Sequence, residues 1–273
     1  MHIILVYKGK VVMKEFFGFS VDGGGYIREP EGYMSWQHLV FVTSLMVVMI
    51  GLAVYLGLRN RKKDIKVKNK VLIWAAILID AFEILKIILL SIRSNDPMTW
   101  TRLLPLFLCS IQLITIPIAA FAKGRIKNAA LDFVLIFGIL GAVLGTYGAG
   151  QNYASYPVMS FDNVVSGITH AISGFASLYI GFSGMASMEA KNIWISFTIL
   201  FGFCVMALIA NVTIPYNYMF LMRGDGTPYD IAYNLVDGNP ILYPTIVILL
   251  FVIYISLFYL IYYIVKKRKK KTL

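Results

Sequence analysis

Disulfides are the first thing this chain does without. Its 273 residues include two cysteines, Cys109 and Cys204, and both fall inside apolar runs, so no disulfide framework is expected. Histidine is equally scarce. His2, His38 and His170 are dispersed, and with two isolated cysteines they offer no paired ligand spacing, so neither a metal nor another cofactor is expected. The glycine-rich turn VDGGGY at Val21–Tyr26 lacks the lysine and following helix that a phosphate-cradling loop needs. Charge is thin at 14% of residues, and it is lopsided, with 25 Lys and Arg against 14 Asp and Glu. A net charge of +11 would suit nucleic acid if the basic residues shared a surface. They sit instead in short loops between apolar runs, which excludes nucleic acid and makes membrane lipids the expected partners. The start, MHIILVYKGKVV, lacks a proper n-region and a small-residue cleavage site, and is not read as a cleaved signal.

What the chain has in abundance is apolar sequence. A hydrophobic fraction of 59% and a mean hydropathy of +0.74 exceed the share usual for a soluble domain, and the runs are about twenty residues long. This predicts an all-α polytopic membrane protein with seven transmembrane helices. They are placed at His38–Leu58, Lys70–Ile92, Leu103–Phe121, Asn128–Gly148, Phe161–Gly181, Ile193–Ile214 and Ile241–Val265. Residues 1–36 form an N-terminal segment in which Ile3–Val6 and Val11–Val12 allow a short hairpin, 37–265 hold the helices, and 266–273 are a basic tail. The loops after spans one, three and five and the tail carry 17 basic residues, and the opposite side carries 7. That bias puts the N-terminus outside and the C-terminus in the cytoplasm of a cell-membrane protein. Small residues crowd spans four and five (Gly138, Gly141, Gly145, Gly148; Ser166, Gly167, Ser173, Gly174, Ser177, Gly181), as expected where backbones pack closely.

Polar residues inside the spans gather in the outer half of the membrane. At 1.5 Å per residue, Cys109 lies roughly 9 Å below the outer interface, His170 about 13 Å and Gln112 about 14 Å. Lys86 and Glu83 fall about 9 and 13 Å from the same side, with His38 and Asn211 nearer the surface. Pro105, Cys109, Gln112 and Ile116 follow 4, 3, 4 spacing and make one stripe if the segment is a helix. Each such group needs a partner or a wet cavity, because hydrocarbon offers none. Glu83 and Lys86, three apart, can pair within their own helix, either as a neutral buried strut or as a pair that orients His170 or polarises a head group. Cys109 is either small apolar filler or a nucleophile served by His170 as base. Cys204 has no polar neighbours at helical spacing and reads as packing.

Several stretches resemble a known family. PLFLC at 105–109 resembles the proline-leucine-histidine-leucine-cysteine motif of the bacterial YwaF-like integral membrane family, with Phe107 where that family's histidine is expected. EILK at 83–86 resembles its acid-lysine pair, WQHLVF at 36–41 the start of its first span, and NYMFL at 217–221 followed by NPILYP at 239–244 its signature before the last helix. The likeness runs in matching order over most of the chain. The YwaF-like family is similar to a eukaryotic multispanning acyltransferase of ether phospholipids and, more distantly, to androgen-induced membrane hydrolases of fatty-acid esters. The resemblance implies a cysteine nucleophile at Cys109 and a histidine base at His170.

Two functions follow from these readings. One is a lipid acyltransferase or lipid-ester hydrolase, with Cys109 and His170 catalytic. Glu83 and Lys86 would set local charge, Gln112, Asn211 or Asn217 would donate to the developing oxyanion, and the loop Pro215–Pro240 would act as a lid. The other is a binding or transport subunit whose outward polar pocket holds a small molecule or lipid without chemistry, Glu83 and Lys86 clamping a zwitterion. A seven-helix signal receptor has only the helix count behind it.

Overall fold

The computed structural model describes residues 11–22 and 24–271, with side chains through 265. Among these residues the protein is helical, and an isolated bridge between Phe19 and Gly25 is the one strand-like pairing. The helices from residue 36 onward are α1 (Trp36–Asn60), α2 (Ile65–Ser94), α3 (Gln112–Phe121), α4 (Gly124–Leu144), α5 (Gly150–Ser155), α6 (Phe161–Ser183), α7 (Ile193–Thr213), α8 (Asp230–Leu235) and α9 (Leu242–Lys271), of which α5 and α8 are short, at six residues each. Local chemistry explains the boundaries. Ser35 and Ser160 cap α1 and α6 by accepting the amides of His38 and Asn163, and Gly184, at φ 69°, turns the chain out of α6. α2 ends where Asn95 adopts φ 48° ahead of Asp96-Pro97.

Five helices (α1, α4, α6, α7 with its preceding turn, and α9) are long and apolar enough to cross a membrane. α2 has the length, at 30 residues, but carries Asp80, Glu83 and Lys86 along it. The third expected helix needs correction. Only its second half is helical, the ten residues of α3, which reach about 15 Å, half the hydrocarbon core. Pro105 has no amide to give, and the Ser110 hydroxyl bonds both the amide (3.0 Å) and the carbonyl (3.1 Å) of Phe107, so residues 103–111 run as turns. The stripe from Pro105 to Ile116 therefore does not exist as one helical face, and helical rise does not give the depth of Cys109. The hairpin expectation fails too. Residues 11–17 are helical, and Ile3–Val6 lie outside the described residues.

α4 divides two apolar cores. On one side Phe133, Ile136 and Phe137 meet Leu200, Phe203 and Cys204 of α7 and Val247, Phe251 and Ile255 of α9. On the other, Ala130, Leu131 and Val134 meet α2, α3 and α6 through Leu72, Ile79, Ile116 and Ile180. Small residues let α4 and α6 touch. A Cβ on Gly138 would stand 2.8 Å from the Ser173 carbonyl, and Ser177 donates to the Leu135 carbonyl at 2.7 Å.

Residues 16–22 and 24–35 pack against one end of this bundle. Arg93 at the end of α2 forms a bidentate pair with Asp162 at the start of α6 (2.6 and 2.9 Å), and Tyr26 also donates to Asp162. Phe16 and Phe17 pack on Phe161 in the same corner. Lys86, two turns before Arg93, and His170, about two turns after Asp162, follow just below this end.

Candidate functional site

The site is built on the last turns of α4, at Gly141 and Gly145. A Cβ at 141 would lie 3.3 Å from Cys109, and a Cβ at 145 would overlap the imidazole of His170. These glycines stand four apart on one helical face, so they seat the cysteine and the histidine side by side. His170 projects from the middle of α6, and Cys109 from the turn just before α3. The two side chains lie within electrostatic reach of each other, and both keep some exposed surface.

The imidazole is held by its own helix. Nδ1 lies 2.7 Å from the Ser166 carbonyl and 3.5 Å from the Ser166 hydroxyl. A carbonyl only accepts, so Nδ1 carries the proton and donates it there. Nε2 is then the unprotonated nitrogen, on the edge of the ring that meets Gly145. This is the arrangement in which a histidine can take a proton from a nucleophile.

Around this pair the other expected residues divide. Lys86 holds Glu83 at 3.1 Å on the same helix and lies within electrostatic reach of both Cys109 and His170. Gln112 is fully buried one turn beyond Cys109. Its Oε1 accepts the Thr115 hydroxyl at 3.0 Å, while its Nε2 is buried with no hydrogen-bond partner among the described residues. Asn211 and Asn217 are used otherwise. Asn211 exchanges hydrogen bonds with the backbone of Tyr218 (2.6 and 3.0 Å). Asn217 donates to the Arg223 carbonyl and the Asp225 carboxylate and accepts the Met222 amide. Both asparagines thus brace the NYMFL loop. His38 is a strut: fully buried, it joins the Met34 amide to the Thr146 carbonyl and stacks on Tyr153 at 3.9 Å.

The loop after α7 turns inward rather than lying over the surface. Tyr218, Met219 and Leu221 are buried, Met219 and Phe220 take φ of 55° and 56°, and Tyr218 donates to the Thr101 carbonyl. Phe107 receives it, with ring centroids 5.3 Å from Tyr218 and 5.6 Å from Phe220. Phe107 is therefore an aromatic anchor that joins the Cys109 turn to the NYMFL loop. Cys204 is buried packing, its sulfur 3.8 Å from that of Met219. No group of three or more His, Cys, Asp or Glu side chains among the described residues could hold a metal.

Sequence reasoning missed four participants. Ser166 was counted as packing, although its position four before His170 is a signal for contact within a helix. Gly141 and Gly145 were counted the same way, and nothing local in the sequence says which helix faces them. Tyr229 was not singled out; it stacks on Phe220 at 5.7 Å and lies in electrostatic reach of Cys109.

The fold and this buried polar cluster define a multi-pass helical membrane protein with a polar site inside one end of its bundle. A family model described as the TMEM164 family matches residues 33–262, most of the chain, and the protein belongs to that family. No curated protein and no solved structure gives a significant match.

Proposed function

We propose that this protein is a membrane-embedded lipid acyl-transfer enzyme working through Cys109 and His170. The observation that supports the reading is that Gly141 and Gly145, four residues apart, lie against Cys109 and His170, with Nδ1 tied to the Ser166 carbonyl. His170 Nε2 takes the Cys109 proton, and the thiolate attacks the carbonyl carbon of a lipid ester. A carbon–sulfur bond forms while the carbonyl electrons move onto oxygen. The oxyanion collapses, the ester carbon–oxygen bond breaks, and the departing alkoxide takes the proton from the imidazolium. The products are a thioester on Cys109 and a lyso-lipid. An acceptor alcohol, or water in hydrolysis, then gives its proton to His170, attacks the thioester and releases the thiolate. Gln112 supplies an amide donor that has no other partner to leave. Lys86, neighbour to both reacting groups, favours the anionic sulfur by charge.

The same proposal has the chain cross the cell membrane seven times, N-terminus outside. α2 would cross despite its charges, because they sit on the half-buried side near Cys109 and His170. Residues 103–111 and α3 would together make the third crossing, their irregular backbone tolerated because protein surrounds it. The excess of basic residues on the side away from Cys109 supports that sidedness.

The test is purified protein given phospholipid labelled in its acyl chain. Cys109→Ser and His170→Ala are each expected to lower transfer by at least about 10³-fold. Transfer at the original rate by both variants ends the proposal in favour of a pocket without chemistry.

A further inference from the structure

The acyl-transfer reading leaves one requirement short. A tetrahedral oxyanion in a dry site needs more than one donor, and of the three amides expected from the sequence Asn211 and Asn217 brace a loop. Gln112 Nε2 remains as a single unpartnered donor.

The inward loop carries another. Tyr229 sits just before α8, stacked on Phe220 (5.7 Å, 29° between planes) and edge-on to Phe251 (6.3 Å). Phe220 in turn packs on Phe107, two residues before Cys109. This chain of rings, Phe107 to Phe220 to Tyr229, fixes the phenol beside the nucleophile's turn, and Tyr229 and Cys109 interact electrostatically. Its backbone amide bonds Thr227, while its hydroxyl has no hydrogen-bond partner among the described residues. Tyr218 and Tyr243 differ on this point, for their hydroxyls bond the carbonyls of Thr101 and Phe220. Burial, with the neighbouring Cys109 sulfur adding to it, raises the Tyr229 phenol above its ordinary range, so it stays protonated and able to donate.

Resting on the acyl-transfer reading of Cys109, we infer that Tyr229 is a further catalytic residue whose hydroxyl donates a hydrogen bond to the oxyanion formed when Cys109 attacks the ester. The step moves no proton from the phenol. The hydrogen bond strengthens as charge gathers on the carbonyl oxygen and relaxes when the ester carbon–oxygen bond breaks. Because Tyr229 lies within the segment Pro215–Pro240, the proposed lid would complete the site as well as shelter it.

The experiment compares Tyr229→Phe with the unaltered protein in two reactions of Cys109. Phenylalanine keeps the ring between Phe220 and Phe251. The first reaction is formation of the Cys109 thioester from labelled phospholipid, followed by mass spectrometry. The second is alkylation of Cys109 by iodoacetamide, which develops no oxyanion. Thioester formation is expected to fall about 10²-fold while alkylation stays within about twofold. Acylation of the variant at the original rate overturns the inference and leaves the acyl-transfer reading standing. An equal fall in both reactions also overturns it, by showing that the ring or its hydroxyl acts on the thiol itself. Absence of any thioester on the unaltered protein overturns the acyl-transfer reading, and this inference with it.

Discussion

Two buried polar centres lie at opposite ends of α4, and they are built on opposite plans. At the end away from Cys109, Asp132 is fully buried and both of its oxygens are occupied. The amides of Ser187 and Met188 bond one (3.1 and 2.9 Å), and the Ser187 hydroxyl, Asn192 amide and Tyr259 hydroxyl bond the other (3.3, 3.1 and 3.4 Å). These partners come from the connection between α6 and α7 and from α9, so one carboxylate ties three parts of the chain together. At the other end, the groups around Cys109 are under-supplied. Among the described residues Gln112 Nε2 and the Tyr229 hydroxyl have no hydrogen-bond partner, and the thiol lies within electrostatic reach of His170. A centre whose carboxylate is filled by five donors holds structure, even though Asn192 Oδ1 beside it has no partner among the described residues. One that keeps donors in reserve is ready for charge that appears only during a reaction.

The sharpest way to break this comparison is to remove one group from each end. His170→Ala is expected to lower transfer by at least about 10³-fold and to leave thermal unfolding in detergent nearly unchanged. Asp132→Ala should do the reverse. It strands five donors in the interior and is expected to cost about 3 kcal/mol of stability, with transfer per folded molecule intact. If His170→Ala unfolds the protein, or Asp132→Ala abolishes chemistry in molecules that remain folded, the two plans are not distinct.

A smaller effect comes from the surface on which the pair rests. Gly145→Ala places a methyl group where the His170 ring lies, and the ring must move. Misplacing a base in this way is expected to reduce transfer about 10²-fold. Gly202→Ala is the control. It lies in α7 with open space around it, so it should leave transfer unchanged and add up to about 1 kcal/mol through helix propensity. Equal losses from both variants would mean that glycine matters here for helix flexibility and not for seating the histidine.

Part of this neighbourhood was legible before any coordinates. Counting helical rise along spans of alternating direction puts His170, Glu83 and Lys86 in one expected layer, but Cys109 stands in a turn and cannot be counted that way. The helical model failed at 103–111, since an apolar run of the right length reads as a helix whatever its backbone does. Pro105 and Ser110 carried the contrary signal, because one lacks a donor and the other competes for the backbone. The neighbours of the pair were not legible at all. That Gly145 of α4 lies under His170 of α6, or that Phe107 meets Phe220, depends on which helices and loops adjoin, and no periodicity encodes it.

The least disruptive substitution makes the finest cut. Two atoms of Ser166 lie near His170 Nδ1, the carbonyl at 2.7 Å and the hydroxyl at 3.5 Å. If the carbonyl fixes the proton on Nδ1, then Ser166→Ala removes the weaker contact and leaves the tautomer as it was. Transfer should change by no more than about twofold, and its dependence on pH should keep its shape. A fall of tenfold or more would assign the orienting role to the hydroxyl. The histidine would then depend on a rotatable side-chain group, which Ser→Ala substitution removes, in place of a backbone atom that the α6 helix holds still. The same measurement separates the two ends of α4 once more, since Asp132 is held by five donors and its centre should tolerate the loss of the Ser187 hydroxyl about equally well.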